Sequence, residues 1–281
     1  MLNSLMYHYI MAPGDMFPNR NGCTTDEFEK HVRVISSNNT VYDGIMLRRE
    51  AAYRQLDGNE RAFVFTFDDG LAEHFWNVAP ILESYNCRGF FFVPTSIFDG
   101  RLLKVHKLHI VLSVFDTQIF EFIREKLHVT GIELPEFSDD AVRRVYRWDD
   151  MAVARAQYVI NYVVDHKVGD SLLSRIFEER IGSEKEIAKK FYMSKDQMIA
   201  LRDRGHVIGG HSHRHVPLTS LGNTAETDIT TCLQSLRSVV GNVDFFSFPY
   251  GKKTTYSDAH LAQLKHEGMT NVFTTEVGAG C

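Results

Sequence analysis

Arg61-Ala62-Phe63-Val64-Phe65-Thr66-Phe67-Asp68-Asp69-Gly70 alternates around three phenylalanines and then breaks into an acidic turn. It reads as a strand running into a loop. Leu71 to Tyr85 follows with helical apolar spacing interrupted at Pro80, and Gly89-Phe90-Phe91-Phe92-Val93 is a continuous apolar run stopped by Pro94. A run of that kind is a strand buried on both faces. Upstream, Met1 to Ile10 reads as a first strand.

The pattern resumes near residue 194. Ser194 to Arg204 is helical with Gly205 as its stop, and His206-Val207-Ile208-Gly209-Gly210 is a short strand. Thr224 to Val240 is a helix closed by Gly241, Asp244 to Phe248 a strand, Asp258 to Glu267 a helix stopped by Gly268, and Thr270 to Thr275 a strand. Strands alternating with helices imply parallel pairing through crossovers, hence an open sheet or a barrel. In either, chemistry collects at the C-terminal ends of the strands. Between the two parts, about Arg101 to Lys190 has helical periodicity over Leu108 to Leu127, Met151 to Val164 and Leu172 to Ile181. The expected organisation is one domain over 1–281, interrupted at about 101–190 by a helical insertion.

The 281 residues carry 31 basic and 36 acidic side chains, a formal charge of −5, so no basic excess points to nucleic acid. Apolar runs fall short of the ~18 residues that cross a bilayer. The start has neither a basic n-region nor a small-residue cleavage site. Cys23, Cys87, Cys232 and Cys281 form no C-x-x-C pair, as expected of free thiols in a cytoplasmic protein. Oligomeric state is not readable.

Three stretches at strand ends carry the chemistry: Thr66-Phe67-Asp68-Asp69-Gly70, His211-Ser212-His213-Arg214-His215 and Ser247-Phe248-Pro249-Tyr250-Gly251. Alone, the first is also a turn with a helix N-cap, the second a chance pair among 13 histidines, and the third an ordinary turn. Together they suit a metal. His211 and His215, four apart, can point two imidazoles at one ion, and a carboxylate completes three ligands with an open position for water. Gly70 can let two successive carboxylates face one cavity, one for metal and one free as a base. On one turn of helix His213 would point elsewhere, while Ser212 is placed to orient a ligand. A backbone N–H at Tyr250 can meet a developing oxyanion. His8 reads as a buried, hydrogen-bonded core histidine. His106 and His109 open the insertion, with a solvated or structural role as the default.

In these residues the chain resembles the NodB-like polysaccharide deacetylases, carbohydrate esterase family four. Thr-Phe-Asp-Asp-Gly, His-Ser-x-x-His and Pro-Tyr-Gly stand in the order of that family's first three motifs, and the likeness covers about 1–100 and 191–281. The resemblance implies an α/β fold, a distorted (β/α) barrel, and metal-dependent removal of N-acyl groups from amino sugars. By position it makes Asp69, His211 and His215 the metal ligands, Asp68 the catalytic base and Tyr250 the oxyanion and substrate-binding residue. Three departures stand out, one being a helical insertion larger than the common members carry. The family usually has an Arg two residues before the Pro, where this chain has Ser247, and the family's late acid histidine has no counterpart after His266.

The resulting expectation is a hydrolase that uses a divalent metal, Zn2+, to remove an N-acyl group, chiefly N-acetyl, from an amino sugar in a polysaccharide or glycan precursor. Its partner is the carbohydrate, and His106 is the candidate acid. The alternatives are a non-catalytic carbohydrate-binding protein and a deacylase or deformylase of non-polymeric amides.

Overall fold

The computed structural model describes residues 2–17, 22–49, 61–115 and 118–276; Cys281 lies outside the described residues. The strands are β1 (Leu2–Tyr7), β2 (Ile10–Met11), β3 (Cys23–Thr24), β4 (Thr40–Val41), β5 (Ala62–Phe67), β6 (Gly89–Val93), β7 (Val207–Gly210), β8 (Phe245–Ser247) and β9 (Asn271–Phe273). The helices are α1 (Thr25–Asn38), α2 (Gly44–Arg48), α3 (Ala79–Ser84), α4 (Lys104–Val114), α5 (Ile119–Val129), α6 (Asp139–Val145), α7 (Met151–Tyr158), α8 (His166–Arg180), α9 (Glu184–Phe191), α10 (Lys195–Asp203), α11 (Ala225–Val240) and α12 (Asp258–His266). The chain divides into two units: Met1–Pro13, Gly22–Gly100 and Ala188–Cys281 form one, Gly14–Asn21 and Arg101–Ile187 the other.

In the first unit a seven-stranded sheet runs in the order β1-β5-β6-β7-β8-β9, with β4 also pairing β5. Every pairing in it is parallel. Pleating explains why β5 and β6 read as unbroken apolar runs. Phe65, Phe67 and Phe91 point to one face, where Phe67 stacks on Phe91 at 5.0 Å between ring centroids and Phe28 of α1 packs edge-on to Phe65 and Phe67. Ala62, Val64, Phe90 and Phe92 point to the other, in one cluster with Val207 and Phe245. That second face closes on itself. Phe92 of β6 lies 5.2 Å from Phe273 of β9, three strands away, where a flat sheet would separate them by roughly 14 Å. The sheet is therefore curled, as in the expected distorted (β/α) barrel.

Curling is possible because β7 is thin. A Cβ on Gly209 would sit 2.5 Å from the Phe92 ring and 2.8 Å from the Phe245 carbonyl oxygen. The second contact is backbone and has little room to yield. Gly209→Ala is therefore expected to destabilise the protein by roughly 1–3 kcal/mol or more, read as a lower midpoint in urea with an unchanged slope. Wild-type stability in that variant would mean that the neighbouring strands give way.

The helical expectations hold with local corrections. Ser194 caps α10 in a capping box with Gln197. Ahead of α3 the helix widens into a π turn over His74–Val78, with Ala79 N–H bonded to the His74 carbonyl. Pro80 has no N–H for a helical bond, and the wider turn accommodates the missing rung. In the second unit the expected helix over 108–127 is two, α4 and α5, since α4 ends at Phe115 with an extended backbone (φ −95°, ψ 145°). Lys107, 1% exposed, is neutralised there by Asp170 at 2.7 Å and Glu184 at 3.5 Å. Among the described residues no helix is long and apolar enough to cross a membrane.

Candidate metal centre

Strand register brings the three motifs together. Phe67 ends β5 opposite Phe91 of β6, Val93 pairs Gly210 at the end of β7, and Gly210 pairs Phe246 of β8. Asp68-Asp69, His211 and the Phe248–Gly251 segment thus leave neighbouring strands at the same edge. The backbone then bends sharply to aim the side chains. Asp69 (φ 77°), Ser212 (φ 61°), His215 (φ 52°) and Tyr250 (φ 63°) all sit in the left-handed region, four of the five non-glycine residues that do so among those described. Such conformations cost of order 1–3 kcal/mol each and gather at functional sites. Asp69, and not Gly70 alone, supplies the turn that puts both carboxylates on one side.

Asp69, His211 and His215 each offer a ligand atom within 4.8 Å of the others, and all three are buried. Asp69 Oδ1 stands 3.5 Å from His211 Nε2 and 3.0 Å from His215 Nε2. A tetrahedral zinc with bonds of about 2.0–2.1 Å holds its ligand atoms about 3.3 Å apart, so the spacing fits. His211 Nδ1 donates to the Ser247 carbonyl at 2.7 Å. That bond fixes the tautomer that leaves the Nε2 lone pair facing Asp69. The histidines lie on a loop rather than a helix, and His213 turns away to bond Thr95 Oγ1 at 3.0 Å. Ser212 Oγ accepts the His215 N–H at 3.0 Å.

Burial lowers His211 to about 3, helped by neighbouring His215, so it is neutral. His215 moves the other way: burial opposes its charge, but the Asp69 and Asp68 carboxylates outweigh it. Asp68 is 4% exposed, with Oδ2 3.9 Å from His211 Nε2, and its Oδ1 has no hydrogen-bond partner among the described residues. Burial pushes its carboxyl up to about 7, with Asp69 adding to the rise and His8, His215 and the Ser247 hydroxyl opposing it. Two buried carboxylates thus face one neutral imidazole and one whose charged form they favour, a donor set that suits a divalent ion. Ser247 reaches Asp68 through its hydroxyl and His211 through its carbonyl.

Tyr250 is 48% exposed, its ring 5.4 Å from that of His215. Its segment is tied down by Thr275, which donates from Oγ1 to the Tyr250 carbonyl and from N to the Gly251 carbonyl, both at 3.0 Å. His106 is 1% exposed on α4 of the second unit. His8 corrects the reading of a core histidine: it is exposed and lies just past the end of β1. Asp68 N–H bonds the Tyr7 carbonyl at 3.1 Å, which sets His8 beside Asp68, and its charge is felt by both Asp68 and His211. Strand alternation alone could not reveal this, because the strand stops one residue earlier.

The sequence profile of the polysaccharide deacetylase family matches residues 148–272, a span that holds both histidines and Tyr250 but not Asp68-Asp69. A search of curated protein sequences finds no match. Among solved structures the chain is similar to a Streptococcus pyogenes deacetylase, PplD, in complex with acetate, at 13% identity and a TM-score of 0.54 over 99% of this chain and 84% of that one. It is also similar to a de-N-acetylase from Aggregatibacter actinomycetemcomitans, at 14% identity and a TM-score of 0.57 over 99% and 91%. A Bacillus cereus polysaccharide deacetylase, BC0361, aligns at 13% identity and a TM-score of 0.53 over 99% of this chain and 58% of that one. Identities this low speak for the fold. The chain thus has the fold of polysaccharide deacetylases and matches that family's sequence profile over residues 148–272, which bears out the resemblance read from its motifs.

Proposed function

We propose that this protein is a divalent-metal-dependent deacetylase that removes N-acetyl groups from an amino sugar within a polysaccharide or glycan precursor. The observation that carries the reading is the convergence of Asp69, His211 and His215 at ligand spacing with a further buried carboxylate, Asp68, alongside. In this reading Asp69, His211 and His215 hold the metal, with Zn2+ the ion of choice for a two-imidazole, one-carboxylate set. When bound, such an ion acidifies water and polarises an acyl oxygen. Asp68 accepts the proton of the attacking water. The Tyr250 N–H serves as the donor to the oxyanion, where losing one such bond typically costs ~10²–10³ in rate. The exposed Tyr250 ring meets the sugar. The helical stretch at about 101–190 is an insertion in a single catalytic domain, and the free thiols of Cys23, Cys87 and Cys232 fit a cytoplasmic protein.

Departure of the amine needs a proton. His106, at 1% exposure on α4, is one candidate; the acid assigned in this reading is His8, which is exposed and whose charge acts on Asp68. His8→Gln is expected to lower the rate of acetate release by roughly 10²-fold or more while metal content stays at the wild-type level. Folded His106→Gln protein should turn over normally; the reverse pattern would return the role to His106.

The reading as a whole is tested by metal analysis of purified protein together with acetate release from N-acetylated oligosaccharides. Stoichiometric metal and chelator-sensitive release are expected. Protein that holds no metal and releases no acetate would be the non-catalytic carbohydrate binder, and release from small formamides alone would mark the non-polymeric amide hydrolase.

A further inference from the structure

We infer that Asp228, on α11, is a positioning residue that sets the separation of the two metal-binding imidazoles. The inference rests on the metal reading above. A His-x-x-x-His pair on a helix is spaced by the helix itself, but residues 211–217 form no regular structure. The loop enters and leaves its central residues through two left-handed backbones, Ser212 (φ 61°) and His215 (φ 52°). Something outside the loop has to hold that shape.

Asp228 holds it. The residue is 3% exposed, and its carboxylate faces the two residues between those bends. Oδ1 accepts the His213 N–H at 2.8 Å, and Oδ2 accepts the Arg214 N–H at 3.2 Å and the Arg214 Nε–H at 2.9 Å. Arg214 continues the clamp by donating from Nη2 to Thr224 Oγ1 at 2.9 Å, just ahead of α11. From the other side Ser96 N–H bonds the His213 carbonyl at 3.0 Å and Thr95 N–H the Ser212 carbonyl at 3.2 Å. The loop is thus gripped at residues 213 and 214 from α11 and at 212 and 213 from the end of β6. The grip from α11 is made by a buried carboxylate, whose charge-assisted bonds are the stronger kind. A carboxylate accepts with both oxygens. An asparagine in its place turns an NH2 toward one of these donors and loses one side of the clamp.

The test is metal binding by the chelator-stripped protein. Zn2+ affinity is measured by competition with a chromophoric chelator, and the visible absorption of the Co2+-substituted protein reports coordination geometry. Asp228→Asn is expected to weaken Zn2+ binding by roughly 10–100-fold and to change the Co2+ spectrum. Arg214→Met, which removes only the guanidinium contact from a half-exposed side chain, should give a smaller loss in the same direction. If Asp228→Asn does not fold, Arg214→Met decides alone: weakened binding supports the assignment and wild-type binding overturns it. Affinity and spectrum matching wild type in a folded Asp228→Asn protein would overturn the inference while leaving the metal reading intact. A wild-type protein that binds neither ion would overturn both.

Discussion

Asp68→Asn is expected to keep its metal and lose roughly 10²–10⁴ in turnover, the range that a positioned general base supplies. The amide has the size of the carboxylate, and Asp68 is outside the three-residue ligand cluster, so the site stays assembled. What disappears is the ability to accept a proton from water. The pH profile tells the same story. The base must be ionised, so kcat/KM falls as pH drops through its pKa. Without an ion, burial raises that carboxyl to about 7 against the opposing pull of His8, His215 and Ser247, and a neighbouring cation favours the charged form. The acid limb of the metal-loaded wild type therefore lies below 7, and it vanishes from the residual rate of the variant. Measured acetate release at wild-type rates from metal-loaded Asp68→Asn protein would remove Asp68 from the mechanism.

His215→Ala acts one step earlier. It takes away one of three ligands, so the loss in metal affinity should exceed the roughly 10–100-fold typical of losing a group that only orients a ligand. Activity goes with the metal. A second readout is thermal. A ligand present at 100 times its Kd stabilises the folded state by about 2.7 kcal/mol, so a chelator should lower the wild-type Tm by several degrees. The same chelator should leave the Tm of His215→Ala where it was. Equal chelator shifts in both proteins would place the metal elsewhere.

Much of this site could be read from the sequence because each piece sits where a strand stops. The alternation of Phe63, Phe65 and Phe67 locates the end of β5, and Gly209-Gly210 leads β7 to the same edge. Spacing along the chain could suggest that His211 and His215 share an ion, but not that a loop with two left-handed residues presents them. The partners that shape that loop lie on other elements, Thr95 after β6 and Asp228 on α11. No periodicity links them to it. The expectation of a core His8 fails for a related reason: Tyr7-His8-Tyr9 continues the alternation of a strand that hydrogen bonding ends at Tyr7. The break between α4 and α5 was hidden in the same way, since apolar spacing persists across an extended residue.

The curled sheet has a consequence for how the chain reaches its native state. β6 and β7 are hydrogen-bonded neighbours, yet the whole stretch Arg101–Ile187 is synthesised between them. Phe92 waits longer still for Phe273, near the end of the sequence. Contacts between such distant segments bear their loop-closure entropy before they return any stability, and they fold slowly. On the ribosome, Phe90 and Phe92 of β6 emerge long before Phe245 and Phe273, the late residues that pack on their face of the sheet. The interval before β7 to β9 appear is when this protein is most exposed to aggregation.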